Sequence, residues 1–123
     1  MKREILFRGK SYYNEWVYGD LRHSSTGYGI AAIEQLFANI RVKPDTIGQY
    51  TGLKDCNGNK IFEGDIIESK GYRHIVTYDE NMAGFCSANV KHLEDLCGIN
   101  QQWINECDKV VIGNVTDNSE LIK

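Results

Sequence analysis

The sequence predicts a mainly β fold of short, strongly bent antiparallel strands, with one or two short helices. Twelve glycines are spread over 123 residues, and many of them stand where an apolar run ends. Runs rich in β-branched and aromatic residues recur about every ten residues, a spacing typical of a small barrel or of bent sheets. Asn57 and Gly58 lie between two such runs, and this dipeptide is the strongest short-range signal for a hairpin.

The N-terminal third begins with two predicted strands. In residues 3–8 apolar and charged side chains alternate, and residues 16–21 form the next apolar and aromatic run. Only a short polar turn separates them, so we expect an antiparallel pair. Residues 23–27 are polar and predict a loop. Residues 29–37 carry apolar side chains at helical spacing, so we expect a short helix or turn there, although residues 40–42 alternate as a strand does.

The rest of the chain predicts mostly strands. Pro44 fixes its own backbone and holds Lys43 in an extended conformation. Residues 90–96 are compatible with a helix of one or two turns. Asn81 to Gly84 predicts a chain reversal. The predicted strands after Pro44 are residues 46–51, 65–69, 72–79, 85–90 and 110–115, and residues 61–62 form a short apolar step between two turns.

Composition predicts one globular domain without membrane spans. Hydrophobic residues make up 41% and charged residues 25%, and the formal net charge is −3. These values exclude a disordered chain, and the acidic balance disfavours a dedicated nucleic-acid-binding domain. No apolar run reaches the roughly 20 residues that a bilayer requires. We therefore expect a cytoplasmic protein with reduced cysteines; their spacing matches no common zinc motif, so no metal or cofactor is predicted.

The central segment resembles the YopX proteins of phage and prophage genomes. The resemblance is carried by residues 48–55 (GQYTGLKD), by Asn57 and Gly58, and by residues 63–66 (EGDI). Weaker matches follow in order along the chain: residues 3–5 and 7–8, 18–21, Pro44, 112–114, and 120–121. Cys56 and Phe62 depart from the family pattern, which usually has a charged residue and a tyrosine there. Both changes suit a turn or a packed position.

The resemblance implies a mostly β protein with SH3-like barrel character in its second half. It also implies a phage or prophage origin, and with that a bacterial host cell. It carries no established catalytic residues to this chain. We expect a single domain over residues 1–123, with a possible N-terminal subdomain at 1–43 and a β-barrel part at 44–123.

Four residues around the central turn form a candidate binding pocket: Gln49, Tyr50, Asp55 and Asp65. One of the two strand residues, Gln49 or Tyr50, should face the core, and a buried tyrosine hydroxyl needs a polar partner such as a carboxylate. The competing structural interpretation is that Asp55 caps the turn at Asn57 and Asp65 caps the bend at residues 63–64, because such turns favour these residue types.

An aromatic-rich N-terminal third is the other candidate surface. Basic residues accompany it, so it could bind a partner or pack within the core with about equal weight. Its members are Tyr12, Tyr13, Trp16, Tyr18 and Tyr28, with Arg3, Arg8, Lys10 and Arg22 nearby.

These patterns favour a non-catalytic module that binds another protein or copies of itself, since short strand edges and surface aromatics both promote oligomers. Two alternatives stay open. One is a small barrel that binds single- or double-stranded nucleic acid, which the charge disfavours. The other is an enzyme with a carboxylate or metal site at Asp55, Glu63 and Asp65.

Overall fold

The computed structural model describes residues 3–32, 39–106 and 108–123, which divide into two compact units. The first unit comprises residues 1–50 and the second residues 51–123. The described residues are mainly in β-strands, as the sequence predicts. No described helix has both the length and the apolar character needed to cross a membrane.

The first unit is an antiparallel sheet with strand order β4-β3-β2-β1-β5. Short turns join β1 to β2 and β2 to β3, and each of these strands pairs with the next one in the sequence, whereas β5 pairs with β1. A bridge between Ser11 and Val42 also ties the end of β1 to the residue after β4. The strands are β1 (Phe7–Lys10), β2 (Trp16–Ser24), β3 (Gly27–Ala32), β4 (Asn39–Arg41) and β5 (Gly48–Lys54), the last continuing into the second unit.

One face of this sheet holds the core of the first unit. Val17, Ile30 and Val42 are buried at its centre. Half-buried apolar side chains surround them: Phe7, Leu21, Tyr28, Ala32, Ile40 and Ile47. Because side chains alternate along a strand, the residues between these apolar positions lie on the opposite face. The alternation noted at residues 40–42 therefore places Ile40 and Val42 inward.

The second unit contains a five-stranded antiparallel sheet with strand order β10-β9-β8-β7-β11. The short strand β6 (Lys60–Phe62) is the neighbour of β5. A helix, α1 (Gln101–Glu106), joins the two edge strands in sequence. The sheet strands are β7 (Asp65–Ser69), β8 (Tyr72–Asp79), β9 (Gly84–Asn89), β10 (His92–Gly98) and β11 (Val110–Asn114).

The core of the second unit packs α1 on this sheet. Ile104 of α1 is buried against Ile67 and Val76 of the sheet and Ile61 of β6. Leu53, Ile99, Trp103 and Val111 complete the cluster. Full burial of a side chain such as isoleucine stabilises a fold by about 1.5–3 kcal/mol. The side chains of Trp103 and Ile104 therefore anchor a helix whose other four residues are polar.

One predicted helix is wrong, and the predicted helix or turn at residues 29–37 is wrong over its first four residues. Residues 92–96, within the predicted helix 90–96, belong to strand β10, which pairs with β9 from His92 to Gly98 with a bulge between His92 and Leu96. Gly29 to Ala32, at the start of the predicted helix or turn 29–37, belong to β3, which forms six residue pairs with β2. The remainder of that segment, residues 33–38, lies outside the described residues. In both places pairing with a neighbouring strand overrides helical spacing.

The predicted hairpin at Asn57 and Gly58 is present, and only the glycine has a left-handed backbone conformation. Gly58 has a φ of +84°, whereas Asn57 is not among the residues with positive φ. The turn is closed by the Gly58 amide, which donates to the Asp55 carbonyl oxygen at 3.0 Å. Asn57 is thus the third residue of a four-residue turn, and Gly58 is the residue that needs the left-handed conformation.

The strand order gives two antiparallel sheets and no closed barrel among the described residues. The SH3-like character of the second half, and the organisation as one domain, stay predictions. Pro44 begins a 3-10 helix, Pro44–Thr46, and Lys43 before it is extended, with φ −72° and ψ 124°, which confirms the predicted effect of the proline.

Candidate functional site

Asp55 is buried and organises the central turn. Its carboxylate accepts hydrogen bonds from the amides of Asn57 at 2.9 Å and Asn59 at 2.8 Å. It also accepts one from the amide of Val111 in β11 at 2.9 Å. The predicted capping role is therefore confirmed, and the same side chain holds the turn to a distant strand.

The hydrogen bonds keep the Asp55 carboxylate ionised. Burial alone would raise its pKa, because a low-dielectric environment disfavours the charged form. The amides of Val111, Asn59 and Asn57, together with the side chain of Asn59, stabilise the charge and leave the pKa below its usual value. A general acid or base acting near neutral pH needs a pKa shifted in the other direction.

Asp65 is also buried and caps the second bend. Its Oδ2 atom accepts a hydrogen bond of 2.7 Å from the amide of Phe62, as predicted for the bend at residues 63–64. Asp55, Glu63 and Asp65 do not form a group of converging ligand atoms in the described part of the chain. The one such group found there is His92, Glu94 and Asp95, all exposed.

Gln49 and Tyr50 lie in the first unit, at the start of β5. Tyr50 is buried and Gln49 is half-buried, so one of the pair faces the core as expected. Gln49 pairs with Phe7 of β1, and the Tyr50 amide donates to the Leu6 carbonyl oxygen at 2.8 Å. Asp55 and Asp65 belong to the second unit. A pocket formed by these four residues stays a prediction.

The polar face of the first unit carries a row of three aligned residues. Arg22 of β2 pairs with Gly29 of β3, and Gly29 pairs with Arg41 of β4. Directly paired residues point to the same face of a sheet, so the two arginines flank a glycine that has no side chain. Both arginines are exposed. Within the described residues, neither is paired with a carboxylate.

Two open cavities of the first unit share Arg41. One, of about 650 Å³, is lined by Tyr12, Tyr13, Ile40 and Arg41. The other, of about 450 Å³, lies around Gly29 and is polar; it is lined by Arg22, His23, Ser24, Thr26, Gly27, Tyr28, Gly29, Asn39 and Arg41. We call the two cavities together the aromatic–arginine surface. It carries Tyr12 and Tyr13 at one end and Arg22 and Arg41 at the other, and its described lining residues include no acidic one.

The aromatic residues of the N-terminal third divide between packing and exposure. Tyr12 and Tyr13 are 57% and 89% exposed. Trp16 is half-buried beneath Arg8, whose guanidinium lies 4.8 Å from the ring centroid, and Tyr28 stacks on His23 with centroids 4.3 Å apart. The turn tyrosines are therefore accessible to a partner, whereas Trp16 and Tyr28 already have neighbours.

Charge is distributed unevenly between the two units. The first unit has seven Lys and Arg against five Asp and Glu, a net charge of +2, whereas the second has seven against twelve, a net charge of −5. The acidic balance of the whole chain therefore describes the second unit only. This difference weakens the argument from net charge against an anionic partner for the first unit.

Sequence reasoning identified Arg22 and the tyrosines but missed Arg41. The alternation of residues 40–42 was visible and places Arg41 outward. Its position beside Arg22 depends on the register of β2, β3 and β4, which the sequence does not reveal.

A cavity and an exposed strand are further features of the described part of the second unit. A cavity of about 590 Å³ lies beside the β7–β8 hairpin, and Arg73 is one of its lining residues. The guanidinium of Arg73 donates to the Glu68 carboxylate at 3.2 Å and to the Leu121 carbonyl oxygen at 3.0 Å. Strand β10 is exposed at every residue, including Leu93 and Leu96. Among the described strands none pairs with its outer edge.

Comparisons with known proteins agree with this fold. Protein EF1440 from Enterococcus faecalis, known from its crystal structure, superposes with a TM-score of 0.62 and 22% identity, covering 99% of this chain and all of its own. That similarity shows the fold alone. No curated protein matches the chain. The model of the YopX protein family matches residues 6–123, nearly the whole length, so the chain belongs to the YopX family.

Proposed function

We propose that this protein is a non-catalytic binding module and that its first unit binds single-stranded nucleic acid. The observation that carries the proposal is the aromatic–arginine surface, where exposed Tyr12 and Tyr13 adjoin Arg41 and Arg22. Proteins that bind single strands without sequence preference combine aromatic side chains, on which bases stack, with basic groups along the backbone path.

The electrostatics of the first unit support the same partner. Its net charge is +2, and the two arginines lie on a sheet face with small residues between them, Gly27, Gly29 and Ala31 of β3. A nucleic-acid strand that crosses β3 would meet Arg22 and Arg41 with no bulky side chain between them. The unit's other sheet face holds its core and is not available for binding.

The test is fluorescence anisotropy with a labelled oligothymidylate of about twelve nucleotides, measured at several salt concentrations. We expect binding that weakens as salt rises, because basic groups displace counterions from the phosphates. The double variant Y12A/Y13A should lose about tenfold or more in affinity, since stacking contributes roughly 1–3 kcal/mol per base. Y72A, which removes an exposed tyrosine of the second unit, is the matched control.

Absence of salt-dependent binding by the wild-type protein would overturn this function. Equal losses in Y12A/Y13A and Y72A would also contradict it, because the binding would then not depend on this surface. A duplex of the same length should bind more weakly, since its bases are already stacked and are not available to the tyrosines.

A second candidate function, the binding of another protein or of a second copy, is favoured by β10. All seven residues of this edge strand are exposed, and Leu93 and Leu96 are apolar. An exposed strand edge offers amide and carbonyl groups to an added strand. Glu94 and Asp95 make the edge acidic, which favours a basic extended segment over a second copy of β10.

Light scattering at high micromolar concentration tests the self-association part of this candidate. Because the acidic edge opposes pairing with a second copy, we expect a monomer; a dimer or larger species that the L93K/L96K variant abolishes would show self-association through β10. A strict monomer for the wild-type protein would show that β10 does not pair with another copy. The family's association with phages and prophages supports the cytoplasm of a bacterial host as the place where either partner is met.

A further inference from the structure

We propose that the cavity between Arg22 and Arg41 binds a phosphate group, which on the proposed function belongs to the backbone of the bound strand. The identity of the ligand rests on the proposed function, whereas the geometry of the cavity supports a phosphate site by itself. The two arginines project from strands on either side of β3, with Gly29 between them.

The donors around the cavity suit a tetrahedral oxyanion. Besides the two guanidinium groups, the lining includes the amide side chain of Asn39 and the hydroxyls of Ser24 and Thr26. Among the described residues that line it there is no carboxylate. Asp20, two residues before Arg22 on the same face, forms no ion pair with either arginine in the described part of the chain. Two cations on one face with no counterion among the described residues favour the binding of an anion.

Gly29 and Asn39 shape the floor of the cavity. A Cβ atom at position 29 would collide with Oδ1 of Asn39 and would lie 2.9 Å from its Cγ and Nδ2. The absence of a side chain therefore lets the amide group lie across the strand, where Nδ2 can donate to a ligand. An alanine here would displace Asn39 and fill the floor while leaving every charge in place.

Arg41 is held in position by the chain itself. Its Nη2 atom donates to the carbonyl oxygen of Thr26, at the turn between β2 and β3. The Ser24 hydroxyl contacts the Thr26 hydroxyl at 3.0 Å and accepts from the Thr26 amide at 3.3 Å, which orders that turn. A guanidinium carries five N–H groups, so this bond leaves others for a phosphate.

The experiment is an NMR titration of the isotope-labelled full chain with inorganic phosphate, matched against sodium chloride at the same ionic strength. We expect saturable shifts at the amides of residues 26–29 that chloride does not produce. R22Q should weaken phosphate binding about tenfold, as the loss of a charge-assisted hydrogen bond predicts. R3Q makes the same charge change at an exposed arginine outside the cavity and should bind as the wild type does.

The G29A variant tests whether phosphate binding depends on the shape of the cavity or only on its positive charge. It should abolish the saturable shifts although the net charge is unchanged, and its circular dichroism spectrum checks that the fold is kept. R22K, which keeps the charge but loses the planar fork, should recover part of the affinity. If R22Q reduces the phosphate shifts no more than R3Q does, or if the wild-type protein gives no saturable shifts, the site is overturned.

Oligonucleotide binding distinguishes this site from the proposed function. With oligothymidylate, R22Q should bind about tenfold more weakly than R3Q and should lower the salt slope by about 0.7, the value for one phosphate of a single strand. Saturable phosphate binding without oligonucleotide binding would refute the proposed function and leave a site for a free phosphate or phosphomonoester. Oligonucleotide binding that R22Q and R3Q weaken equally would refute the site and leave the function.

Discussion

Asp55 and Val111, 56 residues apart, are joined by a hydrogen bond of 2.9 Å from the Val111 amide to Oδ2 of the carboxylate. The same side chain accepts from two amides of its own turn. One carboxylate thus ties the central turn, the most recognisable part of the sequence, to strand β11. The structural role of Asp55 explains its presence without any chemistry.

Replacement of Asp55 by alanine should destabilise the protein by about 2–4 kcal/mol. The substitution removes the acceptor of the Asn57, Asn59 and Val111 amides, and a hydrogen bond to a charged group contributes about 1.5–3 kcal/mol where water does not replace it. Urea denaturation measures the loss. D79A, which removes a single exposed hydrogen bond to the Met82 amide, is the control and should cost less than about 1 kcal/mol. Similar losses in both variants would contradict this role.

Protonation of Asp55 should lower the stability of the protein in acid. Its folded-state pKa is lowered, so the unfolded chain binds the proton more readily than the folded one. The contribution is complete above the unfolded pKa near 4 and disappears as the pH falls through the folded pKa. Urea midpoints between pH 6 and pH 2.5 test this, and D55N should show a shallower fall. A parallel fall in both proteins would show that other groups are responsible.

His74 should make the protein less stable as the pH falls below about 6.5. Burial lowers its pKa, and the charge of Lys109 lowers it further, so the folded protein binds this proton less readily than the unfolded chain. The contribution is complete above pH 7 and is lost on acidification. Thermal unfolding between pH 5 and pH 8 measures the effect. H74Q should flatten the curve, whereas H92Q, at an exposed histidine, should not.

The neighbours of His74 explain why its protonation is unfavourable. Its ring meets Trp103 edge to face with centroids 6.1 Å apart, and the Lys109 ammonium lies 4.2 Å from the centroid of the same indole. Lys109 is buried and donates to the Trp103 carbonyl oxygen at 2.8 Å. A second cation in this cluster would be repelled by the first, so a pH profile that H74Q leaves unchanged would contradict this role of His74.

Gly19 of β2 should not tolerate alanine. A Cβ atom there would collide with the carbonyl oxygen of Ala31 in β3, which is backbone and cannot move aside. We expect G19A to cost about 1–3 kcal/mol or more through overpacking. G98A, where the added atom meets nothing within 4 Å, is the control and should be neutral to within about 0.5 kcal/mol.

The two tryptophans allow this effect to be followed unit by unit. Trp16 lies in the first unit and Trp103 in the second. In a W103F background, urea unfolding followed by the fluorescence of Trp16 reports on the sheet that contains Gly19. An unchanged Trp16 transition in G19A would show that β2 and β3 can separate enough to accept the methyl group.

Helix α1 is not predicted from the sequence, because the local signals for a helix in this segment are weak. Helix α1 has six residues, mostly polar, and only Ile104 is buried. Its start is marked by Asn100, whose side chain accepts from the Trp103 amide at 2.8 Å. An asparagine at this position is a helix-start signal, but such a short segment gains its stability from Ile104 in the core.

Strand β10, by contrast, is predicted as part of a helix at residues 90–96. Leu93 and Leu96 are three residues apart with two acidic residues between them, a pattern typical of an exposed helix. The tight connection after β9 instead returns the chain along its neighbour, and the bulge between His92 and Leu96 absorbs the mismatch. Backbone pairing with β9 decides the structure because neither leucine is drawn into a core.

The sequence by itself determined the mainly β class, the family, the capping of the central turn and the exposure of part of the aromatic third. These features depend on local rules, since turns demand glycine and aspartate and strands demand alternation. Only the tertiary structure decided that Arg22 and Arg41 flank Gly29, and that Asp55 reaches Val111. Both relationships depend on strand register and on contacts between distant residues. The free energy that fixes them comes from burial and pairing across the whole unit, which no short segment encodes.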